Sequence, residues 1–211
     1  MTKYLTCMSV VLLMLGADFV YAADAGSGPP KVAEASFEPT QPVTGVPVKL
    51  RIKLEGAAIR AEVKWSINDQ EAENADYDGL GKPVELHKKA TFGDKVTASV
   101  TPFDAIGSAG RVVTKEVTIG NAPPVVKVGD QKVTGNTYTV HIEATDPEGG
   151  PVTFNVNQGP EGLSIDPRGD VTWKISEAIS GSFPVAIAVV DDKGAQTVAN
   201  FTINLRWQKG K

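Results

Sequence analysis

The sequence predicts an all-β protein built as two tandem β-sandwiches, and three observations lead there. Apolar residues recur at every second position in many short runs, and Gly, Pro, Asn and Asp clusters punctuate those runs. No stretch keeps a helical apolar period over a useful length, because Gly, Pro or β-branched residues interrupt each candidate.

In the first half Val48, Leu50, Ile52 and Leu54 alternate with Lys49, Arg51 and Lys53, the pattern of a strand with one buried face. Val63, Trp65 and Ile67 form a second run, Val96, Ala98 and Val100 a third, and Val113, Val117 and Ile119 a fourth in which Lys115 breaks the alternation. Turn signals stand between them at Asn68-Asp69, Asp78-Gly79, Gly81-Lys82-Pro83, Gly93-Asp94 and Gly107 to Gly110. Weaker runs at Val32 to Phe37 and Val84 to Ala90 bring the number close to that of a sandwich. The second half repeats the plan: Val140-Ile142-Ala144, Val152-Phe154-Val156, Val171-Trp173-Ile175, then Phe183 to Val189, then Phe201-Ile203-Leu205. Between the halves lies Gly120-Asn121-Ala122-Pro123-Pro124, which sets the expected boundary: one sandwich over residues 31–120 and another over 121–206, with 207–211 as a tail.

The start of the chain reads as an export signal. Lys3 precedes the apolar stretch Met8 to Leu15, and Val20-Tyr21-Ala22 offers small residues at the cleavage subsites, so residues 1–22 are expected to be removed. A membrane span needs about 20 apolar residues. This run is shorter and is broken by Gly16 and Asp18. Residues 23–30, ADAGSGPP, have the composition of a flexible linker. The single cysteine, Cys7, lies inside the signal, so the mature chain is expected to have no thiol for a disulfide, a thiolate metal site or a nucleophile. The expected location is periplasmic or extracellular, with no membrane span in the mature chain.

Net charge of −4 and pI near 5.3 argue against a general nucleic-acid partner, which would be basic. Only two histidines occur, His87 and His141, each at a strand position that should face solvent, and no nucleophile-base-acid pattern accompanies them. Phosphate-binding glycine loops, His-Glu-x-x-His and Gly-x-Ser-x-Gly are all missing. The expectation is a protein without catalytic residues. Among the aromatics, Trp65 and Trp173 fall in phase with apolar neighbours and read as core. That leaves Trp207, Tyr77 and Tyr138 as the candidates for stacking on a sugar ring.

Particular phrases resemble known families. Val63-Lys64-Trp65-Ser66-Ile67-Asn68, the stretch from Gly93 to Asp104, and Val117 to Pro124 resemble bacterial tandem immunoglobulin-like repeats, with a tryptophan on the third strand and no inter-sheet disulfide. The second half is similar to the putative-Ig or dystroglycan-type cadherin-like family. The residues that carry this likeness are Glu143 to Phe154 (EATDPEGGPVTF), Gly159 to Asp166, Gly169 to Trp173 and Val189 to Gly194 (VVDDKG). The resemblance implies immunoglobulin-like and cadherin-like sandwiches acting as an extracytoplasmic interaction module, sometimes associated with calcium and with cell adhesion.

In such a topology the loops after the second and sixth strands share an end with the start of the first strand. Asp146, Glu148 and Asp191 should therefore meet Asn121, and these four are the candidate calcium ligands, since calcium takes six to eight oxygens from carboxylates, carbonyls and water. Asp94 and Glu38 are the residues that the first sandwich could add. Three features depart from the cadherin-like pattern: the linker carries no acid, the first half lacks the paired acidic motif before its sixth strand, and Glu148 stands where a second aspartate is usual. The same loops also have the composition of ordinary tight turns. The function expected is an exported, non-catalytic binding or spacer module with a protein or cell-surface partner. The alternatives are a polysaccharide-binding module and a subunit of a surface assembly pairing through an edge strand.

Overall fold

The computed structural model describes residues 28–176 and 179–206. The proposed signal, residues 1–22, the first part of the linker and the tail with Trp207 lie outside the described residues. Among the described residues every regular element is a strand, and no helix is long and apolar enough to cross a membrane.

The first sandwich opposes two antiparallel sheets. One has the order β1 (Lys31–Glu38), β2 (Val48–Glu55), β5 (Val84–Leu86). The other runs β4 (Gln70–Tyr77), β3 (Arg60–Ile67), β6 (Lys95–Phe103), β7 (Val113–Thr118). Period-2 alternation decides which face is dry: Ala61, Val63 and Trp65 on β3 and Val96, Ala98 and Val100 on β6 point inward to meet Leu50 and Ile52 of β2. Trp65 is 1% exposed and tilts against Phe37 at 6.3 Å.

β4 has no counterpart in the sequence reading. Its stretch QEAENADY is largely polar and half exposed, and pairing with β3 from Ala61↔Tyr77 to Ile67↔Gln70 holds it as an edge strand. The run predicted from Val84 to Ala90 shrinks to the three residues of β5, after which the chain turns away. Of the residues assigned to the flexible linker, Gly28 accepts the Ala57 amide through its carbonyl at 3.2 Å, and Pro30 is buried while Gly28 and Pro29 are exposed.

The second sandwich has one sheet ordered β12 (Ser164–Ile165), β13 (Asp170–Lys174), β10 (Thr137–Thr145), β8 (Val125–Val128), with β9 (Lys132–Thr134) also on β10. The facing sheet is β11 (Val152–Gln158), β14 (Gly181–Asp191), β15 (Gln196–Leu205). A second, separate core forms from Val140, Ile142, Val171, Trp173, Val185, Ile187 and Ile203. Trp173 packs edge-on to Phe183 at 5.1 Å and donates its indole N–H to the Glu161 carbonyl at 3.0 Å.

Two aromatic assignments need correction. Tyr77 and Tyr138 are 4% and 1% exposed and cannot stack on a sugar. Tyr77 closes the end of β4, its hydroxyl donating to the Ile52 carbonyl at 2.9 Å and accepting from the Gly81 amide. Tyr138 faces the second core because it is in phase with Val140 and Ile142. Burial of the Tyr138 hydroxyl pushes its pKa up to about 12.

Strand direction sorts the loops into two ends of the first sandwich. The segments 39–47 and 87–94 lie at the end where Gly120 donates to the Pro42 carbonyl at 2.8 Å and Gly93 donates to that of Ile119 at 2.9 Å. The β2–β3, β4–β5 and β6–β7 connections lie at the other end. In the second sandwich, Thr145 pairs with Val125 and Val152 with Asp191, so the loops after β10 and β14 and the incoming linker converge.

Candidate functional site

That convergence builds the candidate site from three segments. After β10 the chain turns through Asp146 to Gly150. Asp146 is 3% exposed, and its carboxylate serves the turn, accepting the Gly150 amide at 2.6 Å and the Glu148 amide at 3.4 Å. Aspartate suits this place because its short side chain reaches its own loop backbone. A side chain on Gly150 would collide with Asp146 and Asp192, which explains the glycine.

After β14, Asp191 repeats the device. It is 6% exposed, and its Oδ1 accepts the Lys193 and Ala195 amides, each at 2.9 Å. Its Oδ2 accepts the Asn121 side-chain amide at 2.7 Å. Burial alone would raise the Asp191 carboxyl. The donors from Asn121, Ala195, Lys193 and Gly194 outweigh that and hold it below the usual carboxylate range. Glu148 reaches the linker from the other side, with Oε1 accepting the Ala122 amide at 3.0 Å. Thr197 adds a bond to the Pro124 carbonyl at 2.6 Å. Thus the four predicted residues, Asp146, Glu148, Asp191 and Asn121, do sit at one junction, and two of the acids grip the linker directly.

Two residues missed in the sequence complete the arrangement. Lys193 donates to Asp192 at 2.8 Å, and that bond raises its pKa; burial opposes, while the charges of Asp192, Asp146 and Glu148 reinforce the rise. The same ammonium stands 5.4 Å from the centre of the Phe92 ring of the first sandwich. The available signal was the lysine following two aspartates in a turn; nothing in the sequence marks Phe92 as its acceptor. Pro147 meanwhile borders a groove of about 490 Å³ with Thr44 to Val48 and Glu85 to Thr91 of the first sandwich.

The residues fit a calcium ion only in part. Asn121 Oδ1 and Glu148 Oε2 are buried without a hydrogen-bond partner and are open to a cation. Both oxygens of Asp191 instead receive N–H donors, and no three or more acidic, histidine or cysteine side chains are grouped around a metal position among the described residues. The side chains of Asp94 and Glu38 take partners within the first sandwich. Asp94 accepts the Thr91 amide and the Asn68 side chain, each at 2.7 Å, bonds that hold its carboxyl low, while Glu38 pairs with Arg51. The histidines are exposed and each meets one carboxylate: His87 with Glu73 at 3.4 Å and His141 with Asp170 at 2.9 Å.

Residues 118–206, a range that contains the second sandwich, match the family described as Putative Ig domain. Among solved structures the chain is similar to fibronectin(III)-like modules of Clostridium thermocellum CbhA, at 16% identity and a TM-score of 0.32, covering 82% of this chain and 94% of that one. It is also similar to extracellular cadherin domains 3–6 of protocadherin gamma B2, at 13% identity and a TM-score of 0.33, over 85% of this chain and 52% of that one. A third is the Bacteroides ovatus protein SGBP-B of a mixed-linkage glucan utilization locus, in complex with a mixed-linkage heptasaccharide. There the identity is 12% and the TM-score 0.29, over 85% of this chain and 47% of that one. The chain thus spans about half the length of the latter two.

Proposed function

We propose that the protein is an exported, non-catalytic module of the cell envelope or surface that spaces or presents binding surfaces, with a protein or a polysaccharide as partner. The observation that carries this reading is the junction: buried Asp191 and half-buried Glu148 are used to hold Asn121 and Ala122 of the linker. Carboxylates committed to backbone and linker amides are suited to setting domain geometry and poorly suited to proton transfer, which needs a group free to reach substrate. An immunoglobulin-like second domain supports the same reading. Affinity isolation from the native envelope after cross-linking tests it. The expected result is recovery with a specific surface protein or glycan and no substrate turnover; turnover by the purified chain contradicts it.

Calcium is a second proposal, favoured by the free oxygens of Asn121 and Glu148. A bound ion would use those two oxygens, draw in Asp146 and Asp191, and displace the Lys193 ammonium from the acids. A ligand that binds only the folded state raises the melting temperature. Higher melting in millimolar calcium than in chelator supports it, and superimposable transitions contradict it.

A further inference from the structure

A strand that ends a sheet presents unpaired backbone groups, and charge, shortness or a bulge usually guards it against pairing with another chain. Among the described residues β1, β4 and β7 carry charged side chains, β5, β8, β9 and β12 have four residues or fewer, and β11 is broken by a bulge between Val156 and Gln158. β15 has none of these devices. Its ten residues, QTVANFTINL, hold no charge and no proline, and they pair with β14 without a register shift from Val190↔Gln196 to Gly181↔Leu205.

The free part of β15 is its second half. Thr197 is tied to the linker at Pro124, whereas from Asn200 to Leu205 β14 is the only strand bonded to it among the described residues. Asn200, Thr202 and Asn204 lie on the exposed face; Phe201, Ile203 and Leu205 lie on the inner one, with Phe201 and Leu205 only partly buried. The sandwich is also open on this side. β15 packs over the side of β10 that carries β8 and β9. Val133 of β9 pairs with Tyr138 and so shares its inner face, yet Tyr138 is 1% exposed and Val133 53%. Val133 stands at the level of Ile203, because Tyr138 pairs with Trp173, Trp173 packs on Phe183, and Phe183 pairs with Ile203.

A strand added at this edge must turn apolar side chains toward Val133 and uncharged polar ones toward solvent. β15 itself has that alternation. We infer that β15 is the pairing edge for a second copy of this chain, the two β15 strands lying antiparallel about a two-fold axis at Thr202. That register sets Thr202 opposite Thr202, Asn200 opposite Asn204, Phe201 opposite Ile203 and Ala199 opposite Leu205, so polar meets polar and apolar meets apolar across the axis. Arg206, the next charge along the chain, falls opposite Val198, and no like charges meet. β11 shows the same alternation, but its bulge opposes flat pairing. Pairing of β15 with β11 would moreover be a head-to-tail contact that grows without closing. The stretch Ala199–Leu205 is short beside the roughly 1,600 Å² of a standard interface, so the dimer forms reversibly at high concentration and the dilute chain is monomeric. Pairing through β15 requires neither export nor the partner proposed above.

The test uses the full chain with Cys7→Ser as background, followed by sedimentation velocity from about 10 μM to about 1 mM. A dimer that grows with concentration is expected. Thr202 is exposed and its side chain has no partner within the described residues, so charge can be placed there without disturbing the fold. Thr202→Lys and Thr202→Glu should each weaken association about fivefold or more, since like charges then face each other on the axis. Mixing the two variants should restore it as a one-to-one heterodimer, a result that only residue 202 meeting its own copy produces. A short bismaleimide should link two chains at Thr202→Cys and not at Asn155→Cys on β11, and this readout holds even where residues 1–27 associate. A monomer at every concentration, variants that associate like the parent, a mixture that stays monomeric, or cross-linking that is absent at 202 or equal at 155 overturns pairing through β15. Growth into open-ended filaments overturns it in favour of β11 as the acceptor.

Discussion

The Lys193 ammonium stands 5.4 Å from the centre of the Phe92 ring, so a turn of the second sandwich reaches onto a loop of the first. The same nitrogen is bonded to Asp192 and lies in the field of Asp146 and Glu148. An internal cation therefore occupies the acidic junction. Lys193→Gln removes it and leaves the carboxylates unbalanced. The expected outcome is a larger calcium-induced rise in melting temperature for the variant than for the wild type, read by calorimetry with calcium and with chelator. Equal responses would show that the ammonium does not compete for the site.

Acid should weaken both sandwiches through aspartates held below their ordinary values: Asp94 and Asp104 in the first, Asp166 and Asp191 in the second. The unfolded chain takes up these protons near pH 4, before the folded one does. Stability from these groups is thus complete above that pH and is lost as pH falls through the lower folded values. Urea midpoints measured from neutral pH downward should drop below about pH 4, with a shallower drop in Asp191→Asn for the second sandwich.

Alkali should act through Tyr138. Its hydroxyl is buried without a hydrogen-bond partner, and its pKa is pushed up to about 12 from an ordinary value of 10. Stability from the neutral phenol is complete below pH 10 and is lost as pH rises toward 12. Tyr138→Phe removes both the ionisation and the unpaired hydroxyl. It should raise the stability of the second sandwich at neutral pH by about 1 kcal/mol and flatten its alkaline loss, as read by denaturant titration.

The two cores are separate, so core damage should be confined to its own sandwich. Ile142 is fully buried at the centre of the second. Ile142→Ala should cost about 2 to 5 kcal/mol and lower the second sandwich's transition, while Trp65 fluorescence, read with Trp173→Phe and Trp207→Phe as background, reports the first as unchanged.

A turn glycine gives a sharper local test. Gly169 has φ of +90°, and an added Cβ would lie 2.2 Å from the Ile142 carbonyl oxygen, with the aromatic ring of Phe154 close behind. Gly169→Ala should destabilise by more than about 1 kcal/mol, whereas Gly162→Ala, with nothing within 4 Å, should cost less.

Legibility in the sequence followed burial. Strands with one dry face, such as β3 with Val63 and Trp65 and β6 with Val96 to Val100, announce themselves because alternation is imposed by the core. β4 is hard to see in the sequence because its inward side offers only Ala72, Ala75 and Tyr77 among polar neighbours, and pairing to β3 holds Gln70 to Tyr77 in place. Tyr77 and Tyr138 misled for a related reason: tyrosine occurs both on surfaces and in cores, and the hydroxyl of Tyr77 finds its partner 25 residues away at Ile52. At the junction, the meeting of Asp146, Glu148, Asp191 and Asn121 followed from strand direction. Their actual partners did not, since amides of Ala122, Gly150 and Ala195 carry no side-chain signature.

The central claim is that linker bonds from Asp191 and Glu148, with Lys193 on Phe92, set the two sandwiches in one arrangement. Electron–electron resonance distances between spin labels at Lys64→Cys and Thr202→Cys, with Cys7→Ser as background, measure this most directly. A single narrow distance that broadens in Asn121→Ala with Lys193→Gln is the result predicted. A broad distribution in the otherwise unaltered chain, or a narrow one that survives both changes, would contradict it.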